Sequence, residues 1–206
     1  MFTREEEIKW ICPQCGSCVT SEIYTYVSAA EEPQSTQKIL DTSLFRMKCS
    51  RCGRTEYNTG PLFYADENRK NFFAMGENVD AAEMLENHIS LGYTVRCVPE
   101  IVDLCEKILI DQDDLDDRVV EMMKVMNAVI LKGQAYDQML YAPDEDTVYF
   151  ELIRDAASLG RIPFLQAMYD DLSERFQEDL KNEDDETEIN AEWAMHFFAE
   201  HYRPAE

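Results

Sequence analysis

Along the first 76 residues, apolar and polar positions alternate with the period of two that marks strands. From Val19 to Ala29 the chain is rich in Thr, Tyr, Ile and Val. Val19, Ile23 and Val27 fall on one face, Tyr24 and Tyr26 on the other. Glu31-Glu32-Pro33 breaks this run, and Gln34 to Leu44 predicts a short helix or a long excursion between strands. Leu44 to Lys48 and Thr55 to Phe63 return to alternation. The run PLFYADENRKNFFAM predicts a hairpin, two apolar arms around the polar turn Asp66 to Lys70.

After Gly76 the period lengthens to about 3.6. Asp80 and Glu83 form a capping pattern for a helix that buries Ala81, Met84, Leu85, His88 and Ile89 and stops near Gly92. Tyr93 to Val98 is a short apolar segment. Pro99 suits the first turn of a following helix, with Ile101, Leu104, Cys105 and Ile108 on one face. Asp113 or Asp114 is the expected cap of the most regular helix, which runs to Lys132 and closes at Gly133. Its apolar positions are Leu115, Val119, Met122, Met123, Met126, Val129 and Ile130, and at this spacing the methionines read as core rather than as a binding groove.

Strand patterning resumes at Gln134. Ala135 to Ala142 and Thr147 to Arg154 predict a hairpin around Pro143 to Asp146, and Arg161 to Leu165 a further strand. A helix over 167–181 and an acidic loop follow. Asn190 then caps a last helix carrying Trp193, Phe197 and Phe198. The expected class is α+β, with an elaborated N-terminal β zinc ribbon containing an inserted element, then helices, then a C-terminal α/β portion. The expected divisions are 1–76 for the ribbon, 77–133 for a helical region packed on it, and 134–206 for an acidic region of hairpin plus helices.

Composition narrows the functional classes. With 45% apolar and 30% charged residues, the 206-residue chain is a folded, water-soluble type, and no apolar run is long enough to span a membrane. The acidic start MFTREEEIKW lacks the apolar core of a signal peptide, so a cytoplasmic location is expected. In that reducing setting seven cysteines point to metal ligation and buried thiols over disulfides. The net charge of −23 is uneven. Residues 1–75 hold nine Lys and Arg against ten Asp and Glu, whereas residues 76–206 hold ten against thirty-two. So acidic a surface repels phosphate backbones, which argues against nucleic acid, and it suits basic protein partners when it is more than a solvated face.

The specific chemistry lies in Cys12-Pro13-Gln14-Cys15-Gly16 and Cys49-Ser50-Arg51-Cys52-Gly53. Two residues between sulfurs let both thiolates reach one ion, and the trailing glycine allows a tight turn. Two such knuckles supply four soft ligands in a tetrahedral shell, which fits one structural zinc and, less often, iron. The 33 residues from Cys15 to Cys49 exceed ordinary ribbon spacing and predict added secondary structure between the knuckles. A four-thiolate shell has no position open for a reactive water. Cys18 reads as a strand residue, and Cys97 and Cys105 as small buried hydrophobes.

Arg46, Lys48, Arg51 and Arg54 surround the second knuckle, with no acid between Asp41 and Glu56. They are candidate anion or nucleic-acid contacts, weighed against simple compensation of an anionic metal cluster. His88, His196 and His201 do not share a helical face that would make a site, and no phosphate loop or hydrolase motif occurs. The leading expectation is a non-enzymatic, zinc-stabilised interaction or scaffold protein with a protein partner. The alternatives are nucleic-acid or anion binding at the second knuckle, and an enzyme with a pocket between ribbon and C-terminal region.

The run IKWICPQCG, the excursion ending in SLFRMKCSRCG, and the hairpin TEYNTGPLFYADENRKNFFAM together resemble the CpXC family, a bacterial group with paired Cys-Pro-x-Cys motifs. Pro13 follows the pattern, and Ser50 stands where the second motif would have proline. The resemblance covers residues 5 to 130 well and the rest loosely. It implies a ribbon-like fold with Cys12, Cys15, Cys49 and Cys52 as metal ligands, and it implies no reaction.

Overall fold

In the computed structural model, which describes residues 3–76, 81–144, 147–183 and 185–202, the backbone divides into two units, Met1–Cys105 and Glu106–Glu206. The N-terminal unit is organised by a five-stranded mixed sheet in the order β1-β2-β5-β6-β7. Strands β1 (Arg4–Ile11) and β2 (Cys18–Ser28) form an antiparallel hairpin in which Trp10 faces Val19 and Ile11 faces Cys18. β5 (Leu62–Asp66) runs parallel to β2 and antiparallel to β6 (Asn71–Met75), with Leu62 opposite Met75. β7 (Thr94–Val98) lies parallel to β6. The expected LFYAD/NFFAM hairpin is therefore present.

Parallel neighbours need crossovers, and the chain supplies two. Between β2 and β5 come helix α1 (Pro33–Leu40) and a two-stranded hairpin, β3 (Arg46–Lys48) with β4 (Thr55–Tyr57). Helix α2 (Ala81–Ser90) connects β6 to β7. The central strands β5 and β6 are buried on both faces, as their continuous apolar runs require. The edge strand β1 exposes Glu5, Glu6 and Glu7, charges that discourage pairing with another chain.

One sheet face packs Tyr26, Phe63, Phe72 and Val95 against Met84, Leu85 and Ile89 of α2. His88 belongs to this packing: its ring stacks on Phe72 at 3.7 Å, and Nδ1 sits 2.7 Å from the Met84 carbonyl oxygen. The other face aligns Val27, Tyr64 and Phe73 in register, and the Tyr64 hydroxyl meets Thr36 Oγ1 of α1 at 3.0 Å. Cys97 and Cys105 are partly buried, and the Cys105 thiol lies 3.5 Å from the Ile39 carbonyl oxygen. The cap expected at Asp80 lies outside the described residues.

Helix α3 (Ile101–Gln112) begins two residues after Pro99, so the proline precedes the helix instead of opening its first turn, and the unit boundary falls within this helix. Helix α4 (Asp117–Leu131) is capped by Asp116, whose carboxylate accepts the Arg118 backbone N–H at 2.9 Å. The expected caps Asp113 and Asp114 are engaged elsewhere. Their backbone N–H groups still close the end of α3 on Leu109 and Asp111, and the Asp113 carboxylate accepts the Tyr141 hydroxyl at 2.5 Å. The α4 methionines divide as well. Met122 and Met123 are fully buried, but Met126, Val129 and Ile130 are exposed. Periodicity reports which side of a helix is apolar, not how far along it a neighbour reaches.

Strands β8 (Gln138–Pro143), β9 (Val148–Arg154) and β10 (Ala157–Pro163) form an antiparallel meander, with the turn residues Glu145 and Asp146 outside the described set. β10 starts earlier than the expected Arg161 because Asp155 and Ala156, both at positive φ, make a two-residue hairpin turn. The expected helix over 167–181 is interrupted at Phe176 into α5 (Gln166–Arg175) and α6 (Gln177–Leu180). Helix α7 (Ala191–His201) is capped as expected by Asn190, which accepts the Trp193 N–H at 3.0 Å. Val119, Met122, Met123, Phe150, Leu172 and Phe197 lie at the centre of this unit's core.

Beside that core sits a buried ionic cluster. Lys124 Nζ lies 2.7 Å from Glu106 and 2.8 Å from Glu121, while Lys107 Nζ lies 2.9 Å from Asp117 and 2.8 Å from the Ile189 carbonyl oxygen. Glu106 also accepts the backbone N–H of Tyr141 on β8, the edge of the meander. Burial pulls the Lys124 ammonium down, but Glu106 and Glu121 outweigh it and hold it above the ordinary lysine range. Burial pushes the Glu106 carboxyl up, with Lys124 opposing. Among the described residues, no helix is long and apolar enough to cross a membrane.

Candidate metal centre

Each cysteine pair occupies the turn of a hairpin. Cys12 and Cys15 lie between β1 and β2, and Cys49 and Cys52 between β3 and β4. The two turns share one backbone pattern. The Gly16 N–H donates to the Cys12 carbonyl at 2.9 Å, and the Gly53 N–H to the Cys49 carbonyl at 2.9 Å. The Cys12 N–H donates to Ser17 and the Cys49 N–H to Arg54, at 2.9 and 2.8 Å. Gly16 and Gly53 adopt φ of 69° and 77°, left-handed values that a side chain disfavours, and this is why the sequence places glycine after each second cysteine.

The two turns bring their sulfurs together. Cys12 Sγ lies 3.6 Å from Cys52 Sγ, Cys15 Sγ lies 3.7 Å from Cys49 Sγ, and all four fall within 4.8 Å of one another. A tetrahedron with metal–sulfur bonds of about 2.3 Å has edges of about 3.8 Å, so the cluster has the size of a four-thiolate metal shell. The four cysteines could hold a metal ion. Cys12 and Cys49 are buried, Cys15 is partly buried and Cys52 is exposed, which leaves one side of the cluster open to solvent.

The local electrostatics favour thiolates but not four at once. The Ser17 hydroxyl, at 3.2 Å, and the Ser17 backbone N–H lower the Cys15 thiol to about 6. The backbone N–H groups of Cys52 and then Arg51 lower Cys49. At Cys52 the Arg54 backbone N–H pulls downward, yet desolvation and the neighbouring Cys12, Cys49 and Cys15 push it up to about 12. Turns that present N–H groups to sulfur, with the last thiolate opposed by the others, describe a shell whose full ionisation calls for a cation at its centre.

Ser17 is the functional residue that sequence reasoning passed over. Its hydroxyl also accepts a hydrogen bond from Arg51 at 3.3 Å, linking the two knuckles, and its only signal in the sequence is its place two residues after Cys15. Around the cysteine cluster the hydrophobic packing is slight: Cys12, Val19 and Cys49 are its buried members, with Trp10 and Cys15 partly buried against them. Trp10 is fixed by the 2.9 Å hydrogen bond from its indole N–H to Ser21 Oγ. Cys18 is the exposed first residue of β2.

The four cations near the second knuckle are all exposed. Arg54 is ion-paired with Glu56, and Arg46 donates to the Asp41 carbonyl at 3.2 Å. Arg46 and Lys48 project from the same side of β3, where only Met47 between them is buried. The histidines lie elsewhere: His88 is packed in the sheet core, and His201 lies 3.2 Å from Asp179.

No curated protein and no solved structure matches the chain. The family model described as CpXC protein matches residues 11–124, which begin just before the first knuckle, contain both, and continue into α4. That match covers more than half of the chain and includes all four clustered cysteines, so the chain belongs to the CpXC family.

Proposed function

We propose that this protein binds one zinc ion through Cys12, Cys15, Cys49 and Cys52, and that it acts as a protein-interaction or scaffold protein rather than as an enzyme. The observation that carries the reading is the cluster of four sulfurs at the span of a tetrahedral shell, with cross-knuckle distances of 3.6 and 3.7 Å. Zinc suits such a shell because it has no geometric preference of its own and favours thiolate ligands. Bound there, the ion would supply Lewis acidity only to its four sulfurs, because a full set of protein ligands leaves no site for water. Its role is then to join two hairpins that have little apolar packing of their own. Elemental analysis of the purified chain should give about one zinc per molecule. Full metal content in a Cys49→Ser/Cys52→Ser double variant would disprove the assignment.

A second reading, anion or nucleic-acid binding at Arg46, Lys48, Arg51 and Arg54, is supported by their exposure around one turn. It is weakened by the local engagement of Arg54 with Glu56 and of Arg51 with Ser17. Salt-dependent binding to a single-stranded or duplex probe, lost on charge reversal of Lys48 and Arg51, is its test.

A further inference from the structure

We propose that the four-cysteine cluster is also a peroxide-responsive site: oxidation joins Cys12 to Cys52 and Cys15 to Cys49, and these cross-knuckle disulfides replace the metal as the link between the two hairpins. This rests on the zinc reading above and adds a regulation of the same site. Cys52 is exposed and Cys15 partly buried, whereas Cys12 and Cys49 are each 1% exposed. Each proposed pair therefore couples one sulfur that solvent can reach with one that it cannot, across distances of 3.6 and 3.7 Å.

A cysteine that ligates a metal is held as the thiolate, the form that attacks peroxides. The Cys52 sulfur attacks the O–O bond of hydrogen peroxide; one oxygen stays on sulfur as a sulfenic acid and the other leaves as hydroxide. The Cys12 thiolate then attacks that sulfur, forms the S–S bond and expels the second hydroxide. Two electrons have passed from the two sulfurs to one peroxide, and two of the four ligands are lost to the ion. A second peroxide joins Cys15 to Cys49 in the same way. Each pair of sulfurs closes by about 1.6 Å to reach a disulfide bond of about 2.0 Å, a shift of side-chain scale.

Loop length selects the pairing. All four sulfurs lie within 4.8 Å of one another, so thiol–disulfide exchange connects the possible products. A link within either Cys-x-x-Cys turn closes only a local loop and leaves the hairpins free of each other. Cys12 and Cys52 are 40 residues apart and Cys15 and Cys49 are 34 apart, and closing loops of that length removes more freedom from the unfolded chain. The cross-knuckle pairing is thus the stable product, and it ties together hairpins that have little apolar packing of their own. Two other cysteines are poor competitors. Cys18 is exposed but lies outside the four-sulfur cluster, and burial pushes the Cys105 thiol up to about 11.

The test treats the zinc-loaded full chain with hydrogen peroxide. It reads released zinc with a chromogenic chelator, disulfides by non-reducing peptide mapping, and backbone amide exchange by mass spectrometry. Zinc should leave at least about tenfold faster than in buffer alone, in step with the Cys12–Cys52 and Cys15–Cys49 links. Dithiothreitol with added zinc should restore the metal. Protection across β1, β3 and β4 should stay within about twofold of the zinc-loaded chain after oxidation, whereas chelation without oxidation should abolish it. Cys18→Ser should respond as the wild type does. Retention of zinc under peroxide, links within a knuckle or to Cys18, or loss of protection despite the mapped links would each overturn the proposal. A chain that carries no zinc defeats the metal reading by its elemental test, and cross-knuckle links mapped in that chain would still uphold the oxidation.

Discussion

Two clusters of ionisable side chains lie in this chain, and they differ in where a compensating cation can come from. In the C-terminal unit, Glu106 and Glu121 are buried together with Lys107 and Lys124, with the partly buried Asp117 beside them, so the cations are part of the sequence and the cluster is complete as folded. In the ribbon, four thiols converge with no buried Lys or Arg among them in the described residues, and the neighbouring cations Arg51 and Arg54 are exposed and bound to Ser17 and Glu56. The first cluster sits beside an extensive apolar core. The second has Cys12, Val19 and Cys49 as its buried neighbours. Where a large core exists, an internal ion network can set register, as Glu106 does by holding the edge of β8. Where the core is too small to fold a hairpin, an external cation of the kind proposed above would both neutralise the charge and supply the cross-link.

The comparison breaks most severely at the metal. Chelation, or Cys49→Ser/Cys52→Ser, should remove zinc and abolish amide-exchange protection across β1, β3 and β4. Protection in α4 and β9 should persist, and exchange read by mass spectrometry checks both halves. Uniform loss of protection would mean that the two clusters are not independently maintained.

Next in size is Lys124→Met, which leaves Glu106 and Glu121 buried without their cation. It should cost about 3–5 kcal/mol by chemical denaturation, with unchanged zinc content. The pair Glu106→Gln/Lys124→Met should recover part of that loss, because the uncompensated charge is then reduced. Failure to recover would locate the cost in packing.

Gly53→Ala probes the knuckle backbone alone. An added Cβ meets nothing within 4 Å, so the cost is that of the left-handed conformation, about 1–2 kcal/mol. It should appear as weaker zinc retention in competition with a chelator, with α4 unaffected. Smallest of all, Arg54→Ala should leave zinc content and thermal midpoint nearly unchanged, since its ion pair with Glu56 is exposed. A large effect would show that the ribbon depends on an internal cation after all, and the contrast between the clusters would narrow.

Local signals carried much of this structure. The hairpin of β5 and β6, the Asn190 cap and the two knuckles were legible because each depends on residues close in sequence. The cap of α4 was misassigned by two or three positions, because a run of four aspartates offers equivalent side chains and only the end of α3 decides which are free. The exposure of Met126, Val129 and Ile130 was also illegible, since a periodic stripe looks the same whether or not a neighbour covers it. The links from Ser17 to Arg51, from Lys124 to Glu106 and from Lys107 to Ile189 carried no motif, because those partners are distant in the chain.

By itself, then, the sequence determined the α+β class and the identity of the four clustered cysteines. Spacing within a turn and glycine at positive φ are local constraints that any folded form must obey. Tertiary structure alone decided that the strands flanking the first knuckle enter a five-stranded mixed sheet while those flanking the second form a separate hairpin, and that two lysines are buried among three acids. Those outcomes depend on which distant segments meet, and alternation, periodicity and charge counts hold no record of that.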